Sequence, residues 1–228
     1  MDKKTVIHKT ISLYQNSGWK KFFAKKRFWY APFVEIEQLL PKKGTIVDLG
    51  CGEGIFTNFI GLSSPERKVI GIEIDAKRFS LADKGIKNIT FQLADITKTS
   101  IPEADAIILF HVLHHLNSYK DQELLLKKCI RQLKPNGKLL IVEIYIQPTV
   151  QYAISWITDH ILVAWFFEKR LYTQILFRRF EKWIDLLKTL GVSCLTQYPN
   201  KIYKPFSNVI IISQKSNNAD NKTRNKSK

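Results

Sequence analysis

Short apolar runs alternate with amphipathic stretches along the chain from Thr45 onward. Five of these runs predict buried strands: TIVDLG (45–50), KVIGIEID (68–75), ITFQLAD (89–95), ADAIILFHV (104–112) and KLLIVEIYI (138–146). Three intervening stretches predict helices: IFTNFIGLSS (55–64), AKRFSLADKGI (76–86) and QELLLKKCIRQL (122–133). Strands that are apolar on both faces are typical of a parallel sheet covered by helices. The pattern therefore predicts an open α/β fold.

The C-terminal part of the chain continues the sheet. The stretch RRFEKWIDLLKTLG (178–191) predicts a helix with Phe180, Trp183, Ile184, Leu187 and Leu190 on one face. Gly191 supplies a stop signal for this helix. Two further runs, VSCLTQY (192–198) and NVIIISQK (208–215), predict closing strands, and KPNG (134–137) predicts the turn before the fifth strand.

Positive charge is concentrated at the two ends of the chain. The net charge is +16, of which residues 47–150 contribute +1, residues 1–46 contribute +7 and residues 151–228 contribute +8. An anionic partner or surface would explain this segregation, and so would a solvated lysine-rich surface. The segment 216–228 is almost devoid of apolar residues and predicts a disordered basic tail.

Cysteine usage and the N-terminus indicate the compartment. Cys51, Cys129 and Cys194 are far apart and form no CxxC pair, which argues against a disulfide framework and a zinc site. No continuous apolar run opens the chain, so we expect no signal peptide. These features predict a cytoplasmic protein without a bound metal.

A glycine-rich loop follows the first predicted strand. In VDLGCGEG (47–54), glycines at 50, 52 and 54 allow a tight turn and close approach of a ligand to the backbone. Ile55 and Phe56 follow where a phosphate-binding P-loop has Lys and Ser or Thr. The dinucleotide fingerprint needs a glycine at position 55, and the acids Asp48 and Glu53 disfavour a pyrophosphate. The same acids favour a cationic ligand.

This loop resembles motif I of the class I S-adenosylmethionine-dependent methyltransferases, (D/E)xGxGxG. The resemblance implies S-adenosyl-L-methionine as cofactor, with Asp48 and the backbone of Gly50, Cys51, Gly52 and Gly54 beside its methionine part. It also implies that Glu73, at the end of the second strand, binds the ribose hydroxyls. Asp95 would then lie beside the adenine amino group, with Ile96 next to it.

Later motifs extend the resemblance over residues 36–215. AIILFHVLHHL (106–116) and LKPNGKLLIVE (133–143) are similar to the fourth-strand and fifth-strand motifs of quinone-biosynthesis methyltransferases. The resemblance implies a Rossmann-like, mostly parallel seven-stranded sheet with helices on both faces and an antiparallel last strand. It further implies that the protein is an enzyme, a methyltransferase.

The exit of the fourth strand carries the candidate catalytic residues. Enzymes that methylate exocyclic amino groups of bases have an Asn/Asp-Pro-Pro-aromatic motif there, whereas this chain has Phe110-His111-Val112-Leu113. On a helix starting near Val112, His114 and His115 would point about 100° apart. We select His111 to line the cofactor and acceptor site, although a structural role is the alternative. Glu143 is the second candidate, either for binding the acceptor or for pairing with a lysine.

A helical insert is predicted over residues 145–177. Tyr152, Trp156, Trp165 and Phe166 would line a cover suited to a large apolar acceptor, or would simply be packing core. A helix spanning a bilayer is disfavoured, because Asp159 near its middle would cost about 3 kcal/mol. The resulting prediction is a methyltransferase for a small, apolar or lipidic acceptor.

The stretch WKKFFAKKRFWYAPF (19–33) lies within a basic, aromatic N-terminal lid predicted over residues 1–35. Trp19, Phe22, Phe23, Tyr30 and Phe33 approximate one helical face, and the basic residues, Arg27 among them, mostly point elsewhere. This layout fits a lid, and it fits peripheral contact with an anionic membrane. The alternatives are an RNA methyltransferase with basic flanks, which the strand-four exit makes less favoured, and a noncatalytic cofactor-binding module. The sequence leaves the oligomeric state open.

Overall fold

The computed structural model describes residues 2–15, 18–145, 175–197 and 208–215. Within these ranges seven strands form a single sheet. They are β1 (Gly44–Leu49), β2 (Arg67–Glu73), β3 (Ile89–Leu93), β4 (Ala104–Phe110), β5 (Leu133–Ile144), β6 (Ser193–Gln197) and β7 (Asn208–Gln214).

The strand order is β3-β2-β1-β4-β5-β7-β6. The first five strands pair in parallel, and β7 is antiparallel to both β5 and β6. The mostly parallel sheet and the antiparallel last strand are therefore confirmed. Because the strand order reverses between β1 and β4, the carboxyl ends of these two strands border the crevice where open α/β sheets bind ligands.

Helices cover both faces of the sheet. They are α1 (Lys3–Ser12), α2 (Gly18–Tyr30), α3 (Phe33–Leu39), α4 (Ile55–Ser63), α5 (Ala76–Ala82), α6 (Tyr119–Gln132) and α7 (Phe180–Thr189). Side chains alternate along β1, so that Val47 and Leu49 face one core and Ile46 faces the other. The first core includes residues of α6 and α7, and the second includes residues of α1 to α4.

The predicted face of α7 is confirmed. Trp183 and Leu187 are buried in the first core, and Phe180, Ile184 and Leu190 pack against it. Gly191 adopts a φ of +78°, the left-handed conformation that ends helices and that glycine tolerates without strain.

Three local predictions differ from the structure. The helix after β2 ends at Ala82 rather than at residue 86. The KPNG stretch lies inside β5, which begins at Leu133 and includes Asn136 at a φ of +61°. The helix expected from Val112 is a single 3₁₀ turn, Leu113–His115. A 3₁₀ turn suits a short connection because each of its hydrogen bonds joins residues only three positions apart.

The N-terminal segment forms part of the second core. Val6, Tyr14 and Ala24 are buried there with Phe33, which belongs to α3 rather than to α2. The single aromatic face predicted for residues 19–33 is wrong, because Phe22 is 49% exposed whereas Phe33 is 1% exposed. The side chain of Trp19 is not among the described parts of the structure.

Two predicted segments lie outside the described residues. The insert over 145–177 is described only at Tyr145 and at residues 175–177, and the tail 216–228 is not described. Among the helices that are described, none has the length and apolar character needed to cross a bilayer.

Candidate active site

The glycine loop connects β1 to α4 at the sheet's switch point. Gly50 and Gly54 adopt φ values of +73° and +71°. A Cβ at Gly50 would lie 2.6 Å from Val112 Cγ2, and one at Gly54 would lie 2.9 Å from Ala82 Cβ. Both positions require glycine because conformation and space each exclude a side chain.

Gly52 differs from its two neighbours. A Cβ built on Gly52 meets no heavy atom within 4 Å, although its φ is +57°. Its amide donates a hydrogen bond to Glu73 Oε2 at 2.7 Å. The loop thus presents a bare stretch of backbone to open space, which a ligand can approach closely.

Asp48 is buried beneath this loop. Its Oδ2 accepts a hydrogen bond from Thr57 Oγ1 at 2.6 Å. Burial raises the pKa of Asp48 to about 6, the Thr57 hydrogen bond opposes the rise, and the negative charge of Glu73 adds to it. A buried carboxylate of this kind is stabilised by a positive group placed beside it.

Glu73 lies at the carboxyl end of β2 and braces the loop. Its two carboxylate oxygens accept hydrogen bonds from the amides of Gly52, Ile74 and Asp75, at 2.7, 3.0 and 2.9 Å. A carboxylate has about four acceptor positions, so this arrangement leaves capacity for a hydroxyl donor.

Asp95 and Ile96 follow β3. Asp95 Oδ1 accepts hydrogen bonds from the amide and the hydroxyl of Thr97, at 2.9 and 2.6 Å, and the Thr97 hydroxyl is the main cause that lowers the pKa of Asp95. The side chain of Ile96 is buried in the first core at 8% exposure. Ile96 can therefore offer a ligand mainly its backbone.

The side chain of Cys51 turns back toward the sheet. A Cβ at Gly71 of β2 would lie 2.9 Å from Cys51 Sγ, so the thiol occupies the space that this glycine leaves. Burial, reinforced by the charges of Asp48 and Glu73, raises the pKa of the Cys51 thiol. The thiol is thus protonated, and Cys51 contributes its backbone to the loop.

His111 follows β4 in a left-handed conformation, with a φ of +53°. Its amide donates to Val142 O at 2.9 Å, and its ring Nε2 lies 2.7 Å from Asn208 Oδ1. Burial lowers the pKa of His111 to about 3, so the imidazole is neutral. The tautomer that carries its proton on Nε2 can donate to Asn208 Oδ1, and this tautomer leaves the lone pair of Nδ1 available.

Glu143 is buried at the end of β5 and binds the turn after β4. Its Oε1 accepts a hydrogen bond from the Leu113 amide at 3.0 Å, and its Oε2 lies 2.5 Å from His114 Nδ1. Burial raises the pKa of Glu143 to about 7. The partner of Glu143 is thus a histidine rather than a lysine, and its contacts hold the exit of β4 in place.

Arg27 is a site residue that the sequence reasoning missed. Its guanidinium lies 5.6 Å from the Phe33 ring centre and 5.8 Å from the Phe110 ring centre. Burial raises the pKa of Asp48, and the positive charge of Arg27 partly offsets that rise. Burial lowers the pKa of His111, and the charge of Arg27 adds to that fall. Among the described residues Arg27 has no carboxylate partner. The only signal in the sequence is an arginine within an otherwise lysine-rich helix, since guanidinium stacks on aromatic rings.

Tyr14 is a second residue near the glycine loop that the sequence did not indicate. Its hydroxyl donates to Glu53 O at 2.8 Å and accepts from Asn58 Nδ2 at 2.9 Å. The hydrogen bond to Glu53 O thus connects the segment that follows α1 to the glycine loop.

A family model described as a methyltransferase domain matches residues 47–141. The bovine mitochondrial ubiquinone biosynthesis O-methyltransferase is 29% identical over 172 residues, which are 71% of this chain and 44% of that protein. The demethylmenaquinone methyltransferase of Lactobacillus johnsonii is 31% identical over 154 residues, which are 63% of this chain and 56% of that protein. The chain spans about half the length of these relatives.

Solved structures share the fold. A SAM-dependent methyltransferase from Methanosarcina mazei has a TM-score of 0.58 at 18% identity, covering 80% of this chain and 97% of that one. Human N-acetylserotonin methyltransferase, solved in complex with SAM, has a TM-score of 0.59 at 18% identity, covering 94% of this chain and 57% of that one. These structures show that the chain has a Rossmann-like fold.

The chain is similar to class I S-adenosylmethionine-dependent methyltransferases, among them quinone-biosynthesis enzymes. The residues present fit the cofactor of this family. Gly52 leaves open space at the loop, Glu73 is a buried acid bonded to the Gly52 amide, and Asp48 is a buried acid just before the loop. S-adenosylmethionine, when bound, supplies a methyl group on a positively charged sulfonium.

Proposed function

We propose that this protein is an S-adenosylmethionine-dependent methyltransferase acting on a small, apolar or lipidic acceptor. The observation that carries the proposal is the open backbone of Gly52 in a loop that follows buried Asp48 and is hydrogen-bonded to buried Glu73. A cofactor with an ammonium group and a vicinal diol matches the charge of the first acid and the acceptor capacity of the second. Asp95 then faces the adenine amino group.

The end of β4 is packed with buried aromatic rings. Phe110 at the end of β4 packs against Phe33 and Phe56, with ring centres 5.5 and 5.8 Å away. Neutral His111 follows Phe110 and provides Nδ1 to accept a hydrogen bond from an acceptor hydroxyl and so position it. Glu143 is a positioning residue in this proposal, since it acts through Leu113 and His114. The names of the relatives favour a ring compound of the quinone-precursor type as acceptor.

Methyl transfer can be tested without knowing the acceptor. Purified protein is incubated with tritiated S-adenosylmethionine and a native extract, and the label is measured in the lipid, small-molecule and RNA fractions. We expect label in the lipid or small-molecule fraction. Label confined to RNA would overturn the acceptor class. Cofactor binding by calorimetry without label in any fraction would indicate a noncatalytic binding module.

We further infer a cytoplasmic location with peripheral contact at an anionic membrane. The segregation of positive charge to the ends of the chain supports this inference, because an apolar acceptor resides in a membrane and polybasic segments are attracted to anionic lipids.

Arg27 is assigned to the α-carboxylate of the cofactor. Arg27→Met removes the charge but keeps much of the length, and we expect about tenfold weaker S-adenosylmethionine binding in calorimetry, as for the loss of one charged hydrogen bond. Lys26→Met on the neighbouring exposed position is the matched control and should leave the affinity unchanged. Decarboxylated S-adenosylmethionine should bind both variants like the unaltered protein. An equal loss with the decarboxylated cofactor would refute the assignment.

A further inference from the structure

The outward face of α2 combines exposed aromatic residues with lysines. Phe22 is 49% exposed and Trp29 is 50% exposed. The two residues are seven positions apart, so they lie on the same side of the helix, two turns from each other. Lys21, Lys25 and Lys26 are exposed as well, and α2 contains no acidic residue in its sequence.

The lysines and the aromatic rings form one continuous surface. Lys26 Nζ lies 5.4 Å from the Phe22 ring centre and 5.1 Å from the Trp29 ring centre. Lys25 lies on the other side of this aromatic pair, because successive residues are 100° apart around a helix. Phe22 and Trp29 therefore form an apolar centre with ammonium groups along both sides.

The opposite face of α2 fixes this orientation. Ala24 is completely buried, and the Phe28 ring centre lies 5.2 Å from that of Phe33 and 5.1 Å from that of Phe59. The helix cannot rotate its outer aromatics inward without breaking these contacts. The exposure of Phe22 and Trp29 is thus a property of the packed fold.

We propose that the outward face of α2 binds the surface of an anionic phospholipid membrane. Phe22 and Trp29 enter the headgroup boundary, and Lys21, Lys25 and Lys26 contact lipid phosphates. A convex helical face favours a membrane over single-stranded RNA, which proteins bind in grooves that follow its backbone. The density of lysine disfavours a protein partner, because protein interface cores are depleted in charge. The inference deepens the proposed membrane contact and does not depend on methyl transfer.

Vesicle co-sedimentation of the full chain tests this surface. We expect binding to vesicles of phosphatidylcholine with 30 mol% phosphatidylglycerol, on the order of the fraction of anionic lipid in a bacterial or inner-leaflet membrane. Vesicles of phosphatidylcholine alone should bind on the order of tenfold more weakly. F22Q/W29Q should reduce binding to both vesicle types. K25Q/K26Q should reduce binding to the anionic vesicles on the order of tenfold or more, and this binding should become less dependent on salt.

Matched variants on α6 serve as controls. Leu124 is 52% exposed there, and Lys120 and Lys127 are exposed seven positions apart. L124Q removes one exposed apolar side chain, and K120Q/K127Q removes the same charge as K25Q/K26Q; both should bind vesicles like the unaltered protein. Equal losses in the α2 and α6 variants would overturn the proposal, as would RNA binding that F22Q/W29Q abolishes while vesicle binding persists. Calorimetry on the same variants measures their affinity for S-adenosylmethionine. This second measurement distinguishes failure of the proposed function from failure of the proposed membrane contact.

Discussion

Asp48→Asn is expected to weaken S-adenosylmethionine binding by about 30-fold or more. The substitution keeps the shape of the side chain but removes the buried charge that faces the cofactor ammonium. Loss of one partner of a buried charge pair costs about 2 kcal/mol or more, which corresponds to this factor. Isothermal titration calorimetry measures the affinity, and methylthioadenosine, which lacks the amino-acid part, should bind the variant and the unaltered protein equally.

Thr57→Val is the matched control for Asp48. It removes the hydroxyl that donates to Asp48 Oδ2 but leaves the carboxylate in place. We expect a loss of less than about tenfold, because the carboxylate that pairs with the cofactor ammonium is still present. Unchanged affinity in Asp48→Asn would contradict the assignment of Asp48 to the cofactor ammonium.

The same carboxylate makes cofactor affinity depend on pH. The pKa of Asp48 is about 6 in the cofactor-free protein, because burial raises it. Below this pH the free protein carries a protonated Asp48, which must lose its proton before it can pair with the ammonium. Affinity is therefore full above about pH 7 and falls by about tenfold per pH unit well below the pKa. Calorimetry at pH 5 and pH 8 should show this fall in the unaltered protein and not in Asp48→Asn.

Glu143→Ala is expected to lower the free energy of unfolding by about 3 kcal/mol. The substitution removes the acceptor of the Leu113 amide and the carboxylate bonded to His114, both in the protein interior. Breaking a buried pair on one side costs about 3–5 kcal/mol, because the remaining group has lost both water and its partner. Urea unfolding followed by circular dichroism measures the change.

Glu181→Ala provides the comparison for Glu143. Glu181 pairs with Arg179 on the surface, where the two side chains are 48% and 72% exposed. Its loss should change the unfolding free energy by less than about 1 kcal/mol. Similar changes in the two variants would contradict the structural role assigned to Glu143.

The sheet and the place of Asp48 at a strand end were accessible from the sequence for a common reason. Buried parallel strands are visible as apolar runs, and ligands bind where such strands end. Asp48 and Glu73 lie at the carboxyl ends of two neighbouring strands. The place of Asp48 followed from the strand pattern, whereas Glu73 was selected from the family resemblance. The antiparallel last strand followed from the family resemblance, since a hydrophobic pattern contains no information on strand direction.

Arg27 was not accessible in this way. Helical periodicity gives relative directions around α2, but which direction faces the core depends on how the helix docks against Phe33 and Phe59. Arg27 and Lys26 are adjacent, yet the arginine lies under the helix against Phe110 while Lys26 points outward with Trp29. Which basic residue of α2 faces the protein interior can be told only when the docking of the helix is known.

The histidines at the exit of β4 illustrate a second limit. The expected helix would have separated His114 from His115 by angle, and the 3₁₀ turn also separates them, with His114 buried and His115 exposed. The sequence placed His111 nearest the strand end, where it lies. It did not reveal that His114 is bonded to Glu143, because these residues are 29 positions apart and meet only through the pairing of β4 with β5.

The hydroxyl of Tyr14 makes the first helix and the cofactor loop thermodynamically linked. Glu53, whose carbonyl accepts from Tyr14, lies between Gly52 and Gly54, so lifting α1 from α4 removes a hydrogen bond from the loop itself. Linkage is reciprocal: a cofactor that stabilises the loop strengthens the docking of the N-terminal helices by the same factor. Substitutions in the N-terminal segment that change how α1 packs on α4 can therefore change the affinity of a cofactor that α1 need not contact.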